Sequence, residues 1–267
     1  TYSDARLEKM KSSLSIQSHI AYKSHLKKFE TYLGNRDVNF DDMTVTLLND
    51  YVSYCQKKLN NSNTTAKYSL VILSIFYKDA IREDIVDSNL YPFDKIKLKK
   101  EPGKRMFLSK TQLDAFKIAE VNPDGKAQAF TDMFMFSVYA GGLRLSDVIE
   151  IRWEHIDLEN SRISKKIRKT GRVHSFKFGQ AAMDILNKYK PENINPAHFV
   201  FPLLANDGLY LSDEMYAYSE LKRCSSLCGF HLRAAGIKMK LPFSLSFHLA
   251  RHTFATNALN NGMRIEH

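Results

Sequence analysis

Cysteine, proline and acidic residues are all scarce in this chain, and it contains no long apolar run. Only three cysteines occur among 267 residues, too few for a disulfide framework, and this scarcity predicts a reducing cytoplasm as the location. No apolar stretch approaches the roughly 20 residues that a membrane-spanning helix needs, and no signal peptide precedes the first helix. The sequence therefore excludes a disulfide-stabilised secreted scaffold, and we expect no membrane partner.

The shortage of acidic residues leaves the chain strongly basic. Lys and Arg number 39 against 29 Asp and Glu, which gives a formal net charge of +10. Such an excess suggests a polyanionic partner, most often nucleic acid, although a merely soluble basic protein would have the same balance. The hydrophobic share of 44% and the charged share of 25% are typical of a globular protein, and the length allows one large domain or two ordinary ones.

Cys224, Cys228 and His231 are spaced at i, i+4 and i+7, and this spacing has two interpretations. The three side chains could be part of a zinc site, although no fourth ligand lies nearby in the sequence. The same spacing is typical of one stripe of a helix that packs inward, which is the interpretation we favour.

The first third of the chain is predicted to be helical. Apolar residues recur at helical spacing over residues 16–33, 44–59 and 64–82, with glycine- and asparagine-rich breaks between these segments. The third segment is too apolar for a one-sided surface helix, so it is expected to form the centre of a small bundle. We assign residues 1–92 to this helical domain.

Residues 93–106 are the best linker candidate because they contain Pro102, Gly103 and a run of basic residues. A lysine-rich linker could follow a phosphate backbone, or it could be a solvated connector. We favour contact with nucleic acid because the overall charge indicates the same partner. The predicted contacts within this stretch are Lys99, Lys100, Lys104 and Arg105.

The remaining residues, 107–267, are predicted to form a second domain that begins with helices. A capping box of the form S-x-x-Q occupies residues 109–112, ahead of an apolar run. An apolar helix over residues 127–139 is predicted to end at Gly141 and Gly142, where glycine can adopt the left-handed conformation.

The periodicity of the second domain then changes. Alternation over residues 162–164 and 173–178 predicts two strands, and residues 168–172 between them form a plausible hairpin tip. Further helices are predicted over residues 181–189, 213–235 and 246–260. The fold class is therefore mainly α with a small antiparallel β-sheet.

Two stretches far apart in the chain place arginine or histidine in apolar surroundings. In Ala-Gly-Gly-Leu-Arg-Leu-Ser-Asp, residues 140–147, Arg144 lies in a turn between two predicted helices. In Phe-His-Leu-Ala-Arg-His-Thr-Phe-Ala-Thr, residues 247–256, His248 and Arg251 share one helix face. Because these groups are costly to bury unless an anion meets them, their convergence would suit a phosphate.

These two stretches, in this order and within a basic chain, resemble the signature boxes of the tyrosine recombinase (integrase) family. The resemblance covers the chain well from about residue 107 to the end, and the N-terminal helices resemble the family's core-binding domain in pattern and position. It implies a helical core-binding domain followed by a mixed α+β catalytic domain, with double-stranded DNA as the partner. Beyond the linker, we predict DNA contacts from Lys23, Lys27, Arg168 and Arg172.

The resemblance also implies a reaction. A tyrosine hydroxyl attacks a DNA phosphodiester, forms a 3′-phosphotyrosine and releases a 5′-hydroxyl, and attack by another 5′-hydroxyl reverses the step. Arg144 and Arg251 would hold the non-bridging oxygens, and Asp147 would support Arg144, with which it could also form an ion pair. Lys169 would protonate the leaving 5′-oxygen, while His248 assists as acid or base. No metal or other cofactor is implied, because fixed cations take that role, and the active form would be a tetramer on DNA.

Lys169 is selected from several lysines of the predicted hairpin, namely Lys165, Lys166, Lys169 and Lys177. Its Lys-Thr-Gly context at the tip resembles the family's Lys-Thr form, although the strand that follows lacks the proline usual in the family. His252, next to Arg251, is expected to pack against or support the site.

The family's nucleophilic tyrosine has no counterpart in these residues. None of the 13 tyrosines follows Arg251, and the sequence given ends at His267. We therefore expect the nucleophile to lie beyond residue 267, and the chain as given to bind DNA and hold the scissile phosphate without forming the covalent bond.

Three functions remain open on the sequence. The first is site-specific recombination or integration, as in a bacterial mobile element. The second is sequence-specific DNA binding without catalysis on the same fold. The third is the relaxation of supercoiled DNA by an enzyme of the type IB topoisomerase kind, which uses similar chemistry.

Overall fold

A computed structural model describes residues 1–99, 103, 106–119 and 126–263, apart from the side chain of Lys126. The chain divides into two compact units, Thr1–Gly103 and Lys104–His267. Three of the predicted DNA contacts, Lys100, Lys104 and Arg105, lie outside the described residues. The predicted boundaries at residues 92 and 107 stay a prediction.

The first unit is a bundle of four helices. They are α1 (Tyr2–Lys9), α2 (Ile16–Leu33), α3 (Val45–Lys57) and α4 (Asn63–Arg82). Each begins after a Thr or Ser whose side chain accepts a hydrogen bond from a backbone N–H of the first turn. These caps satisfy donors that a helix cannot satisfy itself, and they fix where each helix starts.

Helix α4 is the centre of the first unit, as its apolar pattern predicted. Leu70 and Leu73 of α4 pack with Phe29 of α2 and with Leu48 and Tyr51 of α3. The start of the predicted linker belongs to this unit, because side chains from residues 93–98 pack against the same core. These side chains are Phe93, Ile96 and Leu98.

The second unit surrounds one buried helix. It contains α5 (Lys110–Ile118), α6 (Lys126–Tyr139), α7 (Leu145–Ile149), α8 (Gln180–Tyr189), α9 (Leu209–Ser212), α10 (Glu214–Lys238) and α11 (His248–Asn260). Helix α6 packs against α5, α7, α8, α10 and α11. Its Met133, Phe134 and Phe136 are completely buried, so α6 forms the interior against which the other helices are placed.

A three-stranded antiparallel sheet lies beside these helices. Its strands are β1 (Ile156–Asp157), β2 (Arg162–Lys166) and β3 (Val173–Lys177), in the order β1-β2-β3. Ile163 of β2 pairs with Phe176 of β3 and packs into the core, while alternate residues of β2 face solvent. The mainly α fold with a small antiparallel sheet is thus confirmed.

Sequence patterns located most elements of the second unit but missed short ones. The capping box at Ser109 forms, and α6 ends at the expected tyrosine. Strand β1 and helix α9 were not predicted, because segments of two and four residues are too short to show a periodic pattern of apolar residues. Helix α10 continues three residues beyond its predicted end at residue 235.

The Cys224, Cys228 and His231 stripe packs inward along α10, as favoured from its spacing. Both cysteines are fully buried, and the His231 ring forms a 3.2 Å hydrogen bond with the hydroxyl of Thr131 on α6. Within the described ranges, no group of three or more His, Cys, Asp or Glu side chains is arranged to hold a metal ion. Nor does any helix there combine the length and apolar character needed to cross a bilayer.

The surroundings of His155, in the loop after α7, lead us to expect that the protein loses stability as the pH falls. The Arg152 backbone N–H donates to Nδ1 of His155 at 3.0 Å, which requires that nitrogen to be unprotonated. Burial, followed by the positive charges of Lys165 and Arg152, lowers the pKa of His155 from 6.5 to about 4. The unfolded chain therefore takes up a proton at His155 below about pH 6.5, whereas the folded chain resists it until about pH 4.

We expect the native protein to lose on the order of 3 kcal/mol more stability than His155→Gln between pH 7 and pH 4. Glutamine keeps an acceptor but does not titrate. Urea unfolding followed by the fluorescence of the single tryptophan, the buried Trp153, measures the difference. Parallel pH profiles for the two proteins would contradict the assignment.

Candidate phosphate-binding site

The turn between α6 and α7 brings the first signature stretch against the second. Gly141 and Gly142 have φ values of 72° and 65°, the left-handed conformation predicted for them. A Cβ on Gly142 would lie 3.1 Å from the Phe254 ring and 3.3 Å from the Cα of Arg251, both on α11. Glycine is required there for its φ and for this close approach.

Arg251 is anchored to that turn by its own side chain. Its Nη1 donates to the carbonyl oxygen of Gly142 at 3.0 Å, and the side chain is half-buried. Burial lowers the pKa of Arg251, the positive charge of Arg144 lowers it further, and the carboxylate of Asp147 acts in the opposite direction. The two arginines predicted to hold a phosphate are therefore electrostatic neighbours.

Arg144 is held in place by its backbone while its guanidinium remains available. It is the N-cap of α7, in extended conformation, and its carbonyl accepts from the N–H of Val148 at 2.9 Å. The preceding carbonyl, that of Leu143, accepts from the buried hydroxyl of Ser137 at 2.7 Å. No described residue accepts a hydrogen bond from the Arg144 guanidinium.

His248 begins α11, and the other predicted catalytic groups surround it. Burial lowers the pKa of His248, and the charges of His252, Arg251, Arg144 and Lys169 each lower it further. The charges of the three other predicted catalytic residues thus all act on His248. His252 packs edge-on against His248 with ring centroids 4.5 Å apart, so packing is the one of its two expected roles that this contact shows.

Asp147 supports the hairpin rather than pairing with Arg144. It is fully buried, and its Oδ1 accepts from the backbone N–H of Arg168 at 2.9 Å. Its Oδ2 has no hydrogen-bond partner among the described residues. The alternative of an Arg144–Asp147 ion pair is therefore wrong for this arrangement, because the hydrogen bond of the carboxylate goes to the residue beside Lys169.

The lysines of the hairpin differ in exposure, because successive side chains of strand β2 point alternately to solvent and to the core. Lys165 faces inward, is buried, and donates to the carbonyl oxygen of Glu150 at 3.3 Å. Lys169 lies exposed in the turn between β2 and β3, near His248. Lys166 and Lys177 are also exposed.

The described residues that were predicted to contact DNA are exposed, and one of them, Arg168, is also bound to a carboxylate. Lys23, Lys99 and Arg172 are exposed, and Lys27 is exposed with its ammonium 2.9 Å from Glu30. The guanidinium of Arg168 instead pairs with Glu150. Sequence reasoning missed Glu150 and also Tyr210, whose hydroxyl donates to the same carboxylate at 2.7 Å. Sixty positions separate them, so no local pattern marked the contact.

Two family models together match most of the chain. The model described as "Phage integrase SAM-like domain" matches residues 1–98, and the model described as "Phage integrase family" matches residues 107–267. The chain belongs to the phage integrase family of tyrosine recombinases. The activity of this family is site-specific DNA recombination by the tyrosine recombinase mechanism.

Relatives of this recombinase chain match over most of their own length. "Tyrosine recombinase XerC" of Pediococcus pentosaceus is 24% identical over 254 residues, which cover 91% of this chain and 78% of the relative. Among solved structures, a lambda integrase dimer bound to a COC' core site superposes with a TM-score of 0.72 at 16% identity, covering 98% of this chain and 89% of that one. A lambda integrase tetramer bound to a Holliday junction gives 0.70 at 18% identity, covering 99% and 74%.

The close approach at Gly142 gives a prediction with a matched control. Gly142→Ala adds a Cβ at positive φ where Arg251 and Phe254 leave no room, whereas Gly208→Ala adds one at a φ of 80° into open space. The backbone cost of about 1 kcal/mol or more applies to both variants. We expect Gly142→Ala to be the less stable of the two by at least about 1 kcal/mol. Urea unfolding followed by Trp153 fluorescence compares them, and equal losses would contradict the close approach.

Proposed function

We propose that this recombinase cleaves and rejoins double-stranded DNA through a 3′-phosphotyrosine, with Arg144, Lys169, His248 and Arg251 around the scissile phosphate. One observation carries the proposal. The positive charges of Arg144, Lys169 and Arg251 all lower the pKa of His248, and no described carboxylate is hydrogen-bonded to any of these three cations. Such a concentration of positive charge suits an anion, and a phosphodiester is the anion on which the family acts.

We assign each group a step in this reaction. The guanidiniums of Arg144 and Arg251 hold the two non-bridging oxygens and stabilise the charge that grows on them as the tyrosine oxygen approaches phosphorus. The bond from phosphorus to the 5′-oxygen then breaks, and Lys169 gives that oxygen a proton. His248, with its lowered pKa, is neutral near pH 7 and can accept the tyrosine proton. In the reverse direction another 5′-hydroxyl attacks and the tyrosine leaves.

We place the nucleophile outside residues 1–267, so that these residues bind the phosphate without forming the covalent bond. In the second unit the hydroxyls of Tyr189 and Tyr210 donate to buried carboxylates, those of Asp132 and Glu150. Burial raises the pKa of both phenols, and the carboxylates raise it further, which makes them poor nucleophiles. A tyrosine that follows Arg251 outside residues 1–267 would meet the requirement.

DNA is the partner that the charge distribution supports. The net charge of +10 and the exposed Lys23, Lys99 and Arg172 provide contacts for a phosphate backbone. The lambda integrase neighbours are a dimer bound to a core site and a tetramer bound to a Holliday junction, which supports assembly of this chain as a tetramer on DNA. The cytoplasm is the location that fits such a substrate.

The test is a covalent adduct on a suicide substrate. A recognition site is first selected from random duplexes by binding, and the full-length protein is then incubated with that site nicked beside each candidate phosphate. We expect a protein–DNA adduct that survives denaturation and that decreases at least about 100-fold in Arg144→Ala. The control is Lys177→Ala, which removes an exposed cation from strand β3 of the same hairpin. A full-length protein that forms no adduct, or one in which Arg144→Ala reacts like wild type, would contradict the proposal.

The lowered pKa of His248 gives a test that needs no nucleophile. Its neighbours repel a proton, so a bound phosphate that neutralises them must raise the pKa. By linkage, anion affinity rises as pH falls through that pKa. We expect NMR titration of the His248 ring in residues 1–267 to show a higher pKa in saturating pyrophosphate than in chloride of equal ionic strength. An unchanged pKa would mean that the anion binds elsewhere.

A further inference from the structure

The turn that carries Lys169 is anchored to α7 by Arg168, through both its backbone N–H and its guanidinium. The backbone N–H of Arg168 donates to Oδ1 of Asp147, and its guanidinium pairs with Oε1 of Glu150. Asp147 and Glu150 lie three residues apart, near the end of α7, so they form one platform for Arg168. Because Lys169 is the next residue, its backbone position follows from these two contacts.

Glu150 is itself held in a defined position. Its side chain is only 12% exposed, and Oε1 also accepts from the hydroxyl of Tyr210 at 2.7 Å. Its backbone N–H donates to the carbonyl of Ser146, and its carbonyl accepts from the buried ammonium of Lys165 at 3.3 Å. A carboxylate this buried requires partners, and here it has a guanidinium and a phenol that meet at one oxygen.

The turn beyond Arg168 is closed by its own hydrogen bonds. The N–H of Ile167 donates to the carbonyl of Arg172 and the N–H of Gly171 to the carbonyl of Ile167, both at 2.8 Å. Lys169 is exposed, and its ammonium has no hydrogen-bond partner among the residues described. Within the protein, the position of that ammonium therefore depends on the backbone that carries it.

We propose that Glu150 and Tyr210 are positioning residues for catalysis, which lock Arg168 onto α7 and so hold Lys169 in place to protonate the leaving oxygen. The inference rests on the proposed function and deepens it. It gives Arg168 a role inside the protein, in place of the phosphate contact expected from its sequence position. Proton transfer is sensitive to small displacements of the donor, so a loosened turn slows this step in particular.

A sulfur substitution at the leaving group separates positioning from general damage. In a 5′-bridging phosphorothiolate the scissile bond joins phosphorus to sulfur, and the thiolate leaves without needing a proton. The full-length protein is tested on its selected site with either oxygen or sulfur at this position. The variants are Arg168→Gln, Glu150→Gln, Tyr210→Phe and Lys169→Ala. The matched control is Lys177→Gln, which removes a positive charge from the same hairpin but breaks none of these contacts.

On the oxygen substrate we expect Arg168→Gln and Glu150→Gln to slow cleavage by roughly 10- to 100-fold and Tyr210→Phe by less. Lys169→Ala should be slowed most. On the sulfur substrate all four variants should cleave within a few-fold of wild type, because the general-acid step is bypassed. Lys177→Gln should show no such difference between the substrates. Trp153 fluorescence and thermal unfolding verify that each variant is folded.

Equal slowing of Arg168→Gln and Glu150→Gln on both substrates would overturn the positioning role while leaving the recombinase function intact. The positioning role is likewise overturned if these two variants cleave the oxygen substrate at the wild-type rate, or if Tyr210→Phe is slowed more than Glu150→Gln. A wild-type protein that cleaves neither substrate would overturn the proposed function and this inference with it.

Discussion

The crowding of positive charge around His248 is the constraint on which the rest of the second unit depends. Arg144, Arg251 and Lys169 all raise the cost of protonating this histidine, so they also repel one another. Like charges remain together only if the fold holds them there. The core around α6 supplies that force, since α6 packs directly against both α7, which Arg144 caps, and α11, which begins at His248.

Backbone contacts, more than ion pairs, hold these cations in place. Arg251 donates to a glycine carbonyl, and Arg144 is fixed through its own carbonyl and that of Leu143. A carboxylate bound directly to each guanidinium would neutralise the charge that a phosphate is to meet. Asp147 and Glu150 instead bind Arg168, the residue next to Lys169, and so hold the turn that carries this lysine. The site therefore keeps its charge and still has fixed geometry.

The sequence predicted what depends on local pattern and left open what depends on distant contacts. Gly141 and Gly142 were located by their position after an apolar helix, and the pairing of His248 with Arg251 follows from helical spacing. The choice of Lys169 over Lys165 rested on resemblance, and the structure adds the reason that Lys165 points inward on β2. The Glu150–Tyr210 contact joins α7 to a four-residue helix sixty positions later, and no periodicity signals such a pair.

Under the proposed function, the same charge crowding allows phosphate binding and catalysis to share one set of residues. A phosphodiester carries one negative charge, and placing it among these groups turns their mutual repulsion into attraction toward a common centre. In the transition state the non-bridging oxygens bear more negative charge. Each fixed guanidinium therefore attracts them more strongly than in the ground state. His248 responds in the same direction, because every negative charge added beside it raises its affinity for the tyrosine proton. A bound phosphate that makes His248 a stronger base couples substrate binding to proton transfer. That coupling requires the cations to stay close to His248, as the core around α6 keeps them.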